Sequence, residues 1–253
     1  MVPSRPHKEA GIPTHPALDA ADLAWIVWPE TKAEMEQLQR RLAATAAREP
    51  PWVPPEAGEL TVGAVFCAHR RGGGGPGTAG EPAWIGAVVL RGDRLVAQAT
   101  VRTETGGPYA PGLLGLREGP ALEAGARALC LVPDVLLVDA TGRDHPRGCG
   151  LALHLGARLG IPTVGVTDRP LLAGGPEPER RAGVATELRL EGDLVGYLLR
   201  SSAGGRPITV HAAWRTTPEL ALSVVRASLL GQRTPEALRW ARSTARAARS
   251  REG

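Results

Sequence analysis

The sequence predicts an α/β protein with a mixed five-stranded central sheet flanked by helices. Three observations carry this reading. The segments "ELTVGAVFCAH", "AWIGAVVL" and "LVAQATVR" follow one another before any further helix, so they read as an antiparallel three-strand meander. Two short buried strands, "VLLVD" and "IPTVGVTD", then alternate with helical segments, the pattern of parallel βα units. Asp139 stands at the carboxyl end of the first of these strands, and open α/β sheets place ligands at that end.

Residues 1–22, rich in Pro, His and Gly, are expected to form a loose tail. Residues 23–250 are expected to form one domain. Thr31 and Glu34 make a capping box that starts a helix, with Met35, Leu38 and Leu42 on its apolar side. "PPWVPPEAG" breaks the chain before the first strand. "RRGGGGPGTAGEP" is a flexible connection to the second, and "RGDR" turns the second into the third. "GGPYAPGLLGLREGPALEAGARALCL" reads as a turn followed by helical turns, with a break at Gly119-Pro120. A helix is expected around Leu151–Leu159, and two short strands within 187–211. Two more helices are expected over Thr216–Leu230 and Pro235–Arg249, the second capped by Thr234. An antiparallel meander joined to βα units is the topology of the ribonuclease H-like fold. Fold alone says little about function.

Hydrophobic residues make up 43% of the 253-residue chain and charged residues 22%, as in ordinary soluble globular proteins. No apolar run reaches the length of a membrane span, and "MVPSRPHKEAGIPTHP" has no apolar signal core, so a cytoplasmic protein is expected. Cys67, Cys130 and Cys149 lie far apart without metal-ligand spacing and read as small core hydrophobes in a reducing compartment. Bases are 28 Arg against two Lys, a pattern that genomic codon bias explains. The net charge of +4 is compatible with a polyanion partner without demanding one. Arg239, Arg242, Arg246 and Arg249 share one helical side, either a solvated face or a stripe that tracks phosphates.

Four segments together resemble endonuclease V: "PYAPGLLGLRE", "VDATGRDHPRGCGLALHLG", "IPTVGV" and "VGYLLRSSAGGRPITV". The resemblance runs from about Trp28 to Trp240. It implies a Mg²⁺-dependent nuclease that cuts DNA or RNA one phosphodiester beyond a deaminated purine, hypoxanthine; a monomer is expected, although nothing in the sequence fixes the oligomeric state. By the same resemblance Tyr109 is a wedge that fills the gap left by a flipped base. Gly112, Gly142 and Gly165 match glycines of the base pocket, where a Cβ would keep the base away. Glu118 and Asp139 match two metal-binding carboxylates, oxygen ligands of the kind Mg²⁺ takes. His145 and His154 belong to a family-like pattern that reads as loop anchoring and helix packing.

The match fails at polar positions. The family's first strand carries a metal-binding Asp where this chain has Val65, and no Asp lies between Asp22 and Asp93 to replace it. Thr141 stands at the position of a loop His, and Asp168 at that of a Lys. Trp214 stands at that of a His, in a Gly-His-Arg stretch, which supports the metal and its water. Val offers no ligand atom, and an indole N–H only donates. The resemblance with these departures implies a nucleic-acid-binding protein, possible recognition of inosine, and hydrolysis lost or severely weakened. One alternative is an active nuclease whose metal site is rebuilt from Glu118, Asp139 and Asp168. Another is a repurposed scaffold, binding a protein or small molecule, with Trp214 filling the former active site.

Overall fold

The computed structural model describes residues 24–55, 60–70 and 75–252. The tail expected over 1–22 lies outside them. The elements run α1 (Lys32–Ala46), β1 (Thr61–His69), β2 (Pro82–Arg91), β3 (Arg94–Glu104), α2 (Leu114–Arg127), β4 (Val135–Val138), α3 (Leu151–Leu159), β5 (Thr163–Thr167), β6 (Ala185–Leu190), β7 (Asp193–Leu199), β8 (Ile208–Ala212), α4 (Pro218–Ala227) and α5 (Glu236–Glu252).

Among the described residues the sheet has eight strands, not five, in the order β3-β2-β1-β4-β5-β8-β7-β6. The five expected strands are the contiguous run from β3 to β5, with β1 antiparallel to β2 and parallel to β4, and β4 parallel to β5. The difference has a plain cause. β5 carries buried Val164 and Val166 and would be a bare apolar edge. β8 pairs with it antiparallel, and the hairpin of β6 and β7 continues the sheet outward.

Period-two alternation sends side chains of each central strand to two cores. Val65, Ile85, Leu136 and Val138 face the core shared with α1, α2 and α3. Ala64, Val88, Leu137 and Val164 face α4 and α5. α1 begins at the expected capping box, with Thr31 and Glu34 bonding reciprocally. α2 does not break at Gly119-Pro120: Pro120 lies inside it. A Cβ on Gly119 would lie 2.2 Å from the Trp28 ring, so the helix packs there at a contact only glycine allows. Gly106, packed against this stretch, donates its N–H to the Arg117 carbonyl at 3.0 Å. α5 lies equally close to the sheet, since a Cβ on Gly86 would meet the Ala241 carbonyl oxygen at 2.3 Å. Among the described residues no helix is long and apolar enough to cross a membrane.

Candidate active site

Parallel pairing of β1 with β4 sets Val65 opposite Val138, so the residue before Asp139 lies directly beside Val65. Val65 is fully buried and supplies no ligand atom. Asp139 accepts a hydrogen bond from Arg242 Nη2 at 2.9 Å. The Arg242 guanidinium also lies over the Phe66 ring, 5.1 Å from its centroid, and Arg246 lies over the same ring at 5.9 Å. Desolvation pushes the Asp139 carboxyl above its ordinary range, and Arg242 offsets part of that rise. A protein cation thus takes up the negative charge of Asp139.

Glu118, from the first turns of α2, points to His69 instead. Its Oε1 lies 2.7 Å from His69 Nε2, and Cys67 Sγ lies 3.6 Å from the same nitrogen. Among the described residues, Cys67, His69 and Glu118 are the one group of three or more such side chains whose ligand atoms lie within 4.8 Å of one another. Asp168 turns outward. It is two-thirds exposed and accepts from Arg233 Nη2 at 2.7 Å, which holds its carboxyl below the ordinary range. It still lies close enough to disfavour ionisation of Asp139. Glu118, Asp139 and Asp168 thus share one end of the sheet, each with a different partner.

The Pro108–Leu113 turn presents Tyr109 half-exposed. Its backbone is fixed from below: the Gly112 carbonyl accepts from Gln39 Nε2 at 3.1 Å, His145 Nε2 at 3.0 Å and Arg147 Nη2 at 2.8 Å. Arg147 N–H donates to His145 Nδ1, so the ring is the neutral Nε2-protonated form. Burial pushes its pKa down to about 4. Gly112 has φ +72°, a conformation that suits glycine. Behind the turn lies a cavity of about 160 Å³ lined by Tyr109, Gly112, Asp139, Thr141, His145 and Thr167 among others. That is smaller than the ~300–1,000 Å³ of ordinary small-molecule pockets. Gly142 and Gly165 sit beneath it. A Cβ on Gly142 would lie 2.1 Å from the Ala212 oxygen, and one on Gly165 2.3 Å from the Ala140 oxygen. Gly165 lets the loop after β4 cross β5 in backbone contact, and Gly142 lets it reach the backbone of β8.

The family model for endonuclease V matches residues 77–243. The endonuclease V of Thermus thermophilus is 42% identical over 190 residues, spanning 73% of this chain and 80% of that protein. The crystal structure of the Streptomyces avermitilis enzyme is 33% identical and superposes with a TM-score of 0.78 over 89% of this chain and 96% of that one. The chain belongs to the endonuclease V family. The same fold is found in the Ciona intestinalis endonuclease V, 20% identical with a TM-score of 0.70 over 87% of this chain and 98% of that one. That protein was crystallised with a 24mer DNA containing an inosine followed by a ribo-adenosine.

Within an endonuclease V fold, two sequence expectations need correcting. Trp214 does not face the carboxylates. β8 runs antiparallel to β5, with Thr209 opposite Thr167 and Ala212 opposite Val164, so the chain leaving β8 moves away from the Asp139 end. The Trp214 carbonyl accepts from the Thr163 N–H at the start of β5, its own N–H donates to Thr163 Oγ1, and its side chain is buried in the α1–α3 core. It fills no active site, which removes the motive for the repurposed-scaffold reading. One cysteine also differs: Cys130 is exposed, whereas Cys67 and Cys149 are buried in the core as expected, Cys67 beside His69 and Glu118.

Sequence reasoning assigned Arg242 no partner. The arginine stripe was its signal. Arg242 meets Asp139, Arg246 covers Phe66 and Arg249 donates to the His69 carbonyl at 3.0 Å, so three of its members face β1 and the end of β4. Arg239 pairs with Glu236 instead. His145 and His154 anchor loops as expected; His154 Nε2 donates to the Val27 carbonyl at 2.9 Å and its ring packs against Trp28.

Proposed function

We propose that this endonuclease V relative binds DNA or RNA, recognises inosine, and has lost phosphodiester hydrolysis or retains it only in severely weakened form. The carrying observation is the Arg242–Asp139 pair beside buried Val65. Where a divalent cation would need two converging carboxylates, the strand offers an isopropyl group and the remaining Asp already holds a guanidinium. Mg²⁺ takes oxygen ligands in near-octahedral order. Glu118 and Asp139 are the residues that would hold it, and they do not fit: no carboxylate stands at Val65 to converge with them, and Asp139 already holds the Arg242 guanidinium. No hydrolytic step is therefore derived through that ion.

Binding rests on different groups. Arg242, Arg246 and Arg249, facing β1 and the end of β4, carry positive charge and supply the sequence-independent part of the affinity. Tyr109 at its rigid turn, next to a cavity of limited size, suits insertion into a base stack while a single base leaves it. The Ciona relative's inosine-containing ligand supports the choice of base. Residues 23–250 act as one domain, monomeric and cytoplasmic. Fluorescence anisotropy on matched oligonucleotides with and without inosine, at two salt concentrations, tests this reading. A salt-sensitive affinity with a measurable inosine preference is expected. Equal, salt-insensitive affinities would reject it.

A second reading, an active nuclease with a rebuilt site, draws on the proximity of Asp168 to Asp139. It requires Asp168 to leave Arg233 and turn inward.

A further inference from the structure

Period-two alternation places Val65, Cys67 and His69 on the same face of β1. Glu118 reaches that face from α2 and meets His69, four residues further along the strand than Val65. We propose that Cys67, His69 and Glu118 form a site for a borderline-soft divalent cation of the zinc type, displaced along β1 from the place where two carboxylates would hold Mg²⁺.

The donor set decides the class of ion. One thiolate, one imidazole and one carboxylate suit Zn²⁺ and its neighbours, whereas Mg²⁺ takes oxygen. The geometry is close to what such an ion needs. Two ligands of a tetrahedral Zn²⁺, one sulfur and one nitrogen, lie about 3.5 Å apart, given the usual bond lengths. Cys67 Sγ and His69 Nε2 are 3.6 Å apart. His69 Nε2 and Glu118 Oε1, now 2.7 Å apart as a hydrogen-bonded pair, would open by roughly 0.6 Å, and both side chains are part-exposed and able to move. His69 Nε2 stands between Cys67 Sγ and Glu118 Oε1, and the three ligand atoms all lie within 4.8 Å of one another.

Charge balance also favours an ion. On binding, the Sγ–H bond breaks, its proton goes to solvent, and the sulfur lone pair forms the bond to the cation. Thiolate and carboxylate together then neutralise a divalent charge. Arg117, close enough to influence the thiol, is tied to Glu81 at 2.8 Å and does not compete for Glu118. Three protein ligands leave a fourth position at the part-exposed side of the cluster, open to a water or a phosphate oxygen.

The test uses the full chain, stripped with a chelator and titrated with Co²⁺ alone, then with Zn²⁺ as competitor. One Co²⁺ per chain is expected, with a thiolate-to-cobalt charge-transfer band that Zn²⁺ abolishes and excess Mg²⁺ leaves intact. Cys67→Ser should remove the band, while Cys130→Ser, at an exposed cysteine, should leave it. His69→Ala, at a part-exposed position, carries the same test without disturbing the core. It should weaken Co²⁺ by more than the roughly 10–100-fold that losing an outer-shell partner costs. No band in the unmodified protein, a band surviving Cys67→Ser, full affinity in His69→Ala, or displacement by Mg²⁺ would each overturn the site.

Discussion

Arg242 and Asp139 form the pair on which the fate of the chemistry turns. Each side chain is about one-third exposed, so water weakens the pair, and Arg242→Ala should cost about 1 kcal/mol at neutral pH. The pH dependence is more telling than the size. The Asp139 carboxyl already sits above its ordinary range, and losing Arg242 raises it further. A carboxyl raised in the folded state favours folding at low pH and loses that contribution as pH rises through the folded pKa. The deficit of Arg242→Ala against the parent should therefore shrink as pH falls into the carboxylate range, as read by denaturant unfolding at about pH 4 and about pH 7.5. A deficit independent of pH would mean the pair carries no charge coupling. Tyr109 gives a second prediction at this scale. Tyr109→Ala should reduce preference for inosine more than overall affinity, because an exposed ring replaces stacking but neutralises no phosphate. Equal losses on both oligonucleotides would make Tyr109 merely part of the turn.

Much of this was legible residue by residue, and its failures have physical causes. Val65, Glu118 and Asp139 fall at one end of the sheet because strand alternation and the βα units fix their direction. The role of Arg242 was hidden, because a helix brings it to Asp139 from 103 positions away and no local spacing reports such a contact. Trp214 was misplaced because its role was assigned by sequence resemblance, whereas the direction of β8 decides which end of the sheet it reaches.

Among the elements, the strands and capped helices were readable because period and caps are local signals, as at Thr31 and Glu34. Pro120 was misread as a break, since the close approach of Trp28 to Gly119 is a tertiary contact. The merging of β6, β7 and β8 into one sheet was equally non-local. The crossing of the β4 loop over β5 makes a sharp prediction. A methyl on Gly165 would lie 2.3 Å from the Ala140 carbonyl oxygen, a backbone atom that cannot swing away. Gly165→Ala should destabilise by about 1–3 kcal/mol and shift the Asp139 loop. An unchanged unfolding midpoint would show that the loop has room.

For the whole molecule, acid should be more damaging than alkali near neutrality. Burial pushes His154 down to about 3 and His145 to about 4. A histidine depressed in the folded state contributes stability that is present above its unfolded pKa, about 6.5, and is lost as pH falls towards the folded value. At about pH 5 His154 alone should account for a loss of about 2 kcal/mol. His154→Gln, which keeps a donor for the Val27 carbonyl, should unfold with a shallower pH dependence than the parent. Restoring chemistry should also be a property of the whole site. Val65→Asp alone should give no nicking, since Arg242 still holds Asp139 and Thr141 still replaces a His. Combining Val65→Asp, Thr141→His and Arg242→His should act non-additively, because such groups work as a unit.

The central claim is that the binding cleft is kept while the hydrolytic site is filled by the protein's own cation. The direct measurement is nicking of inosine-containing DNA and RNA by the unmodified protein with Mg²⁺ or Mn²⁺, alongside binding on the same oligonucleotides. The account predicts binding with no cleavage, or cleavage only at high protein excess and long incubation. Robust multiple-turnover nicking, abolished by Asp168→Asn, would contradict it and establish the rebuilt three-carboxylate site.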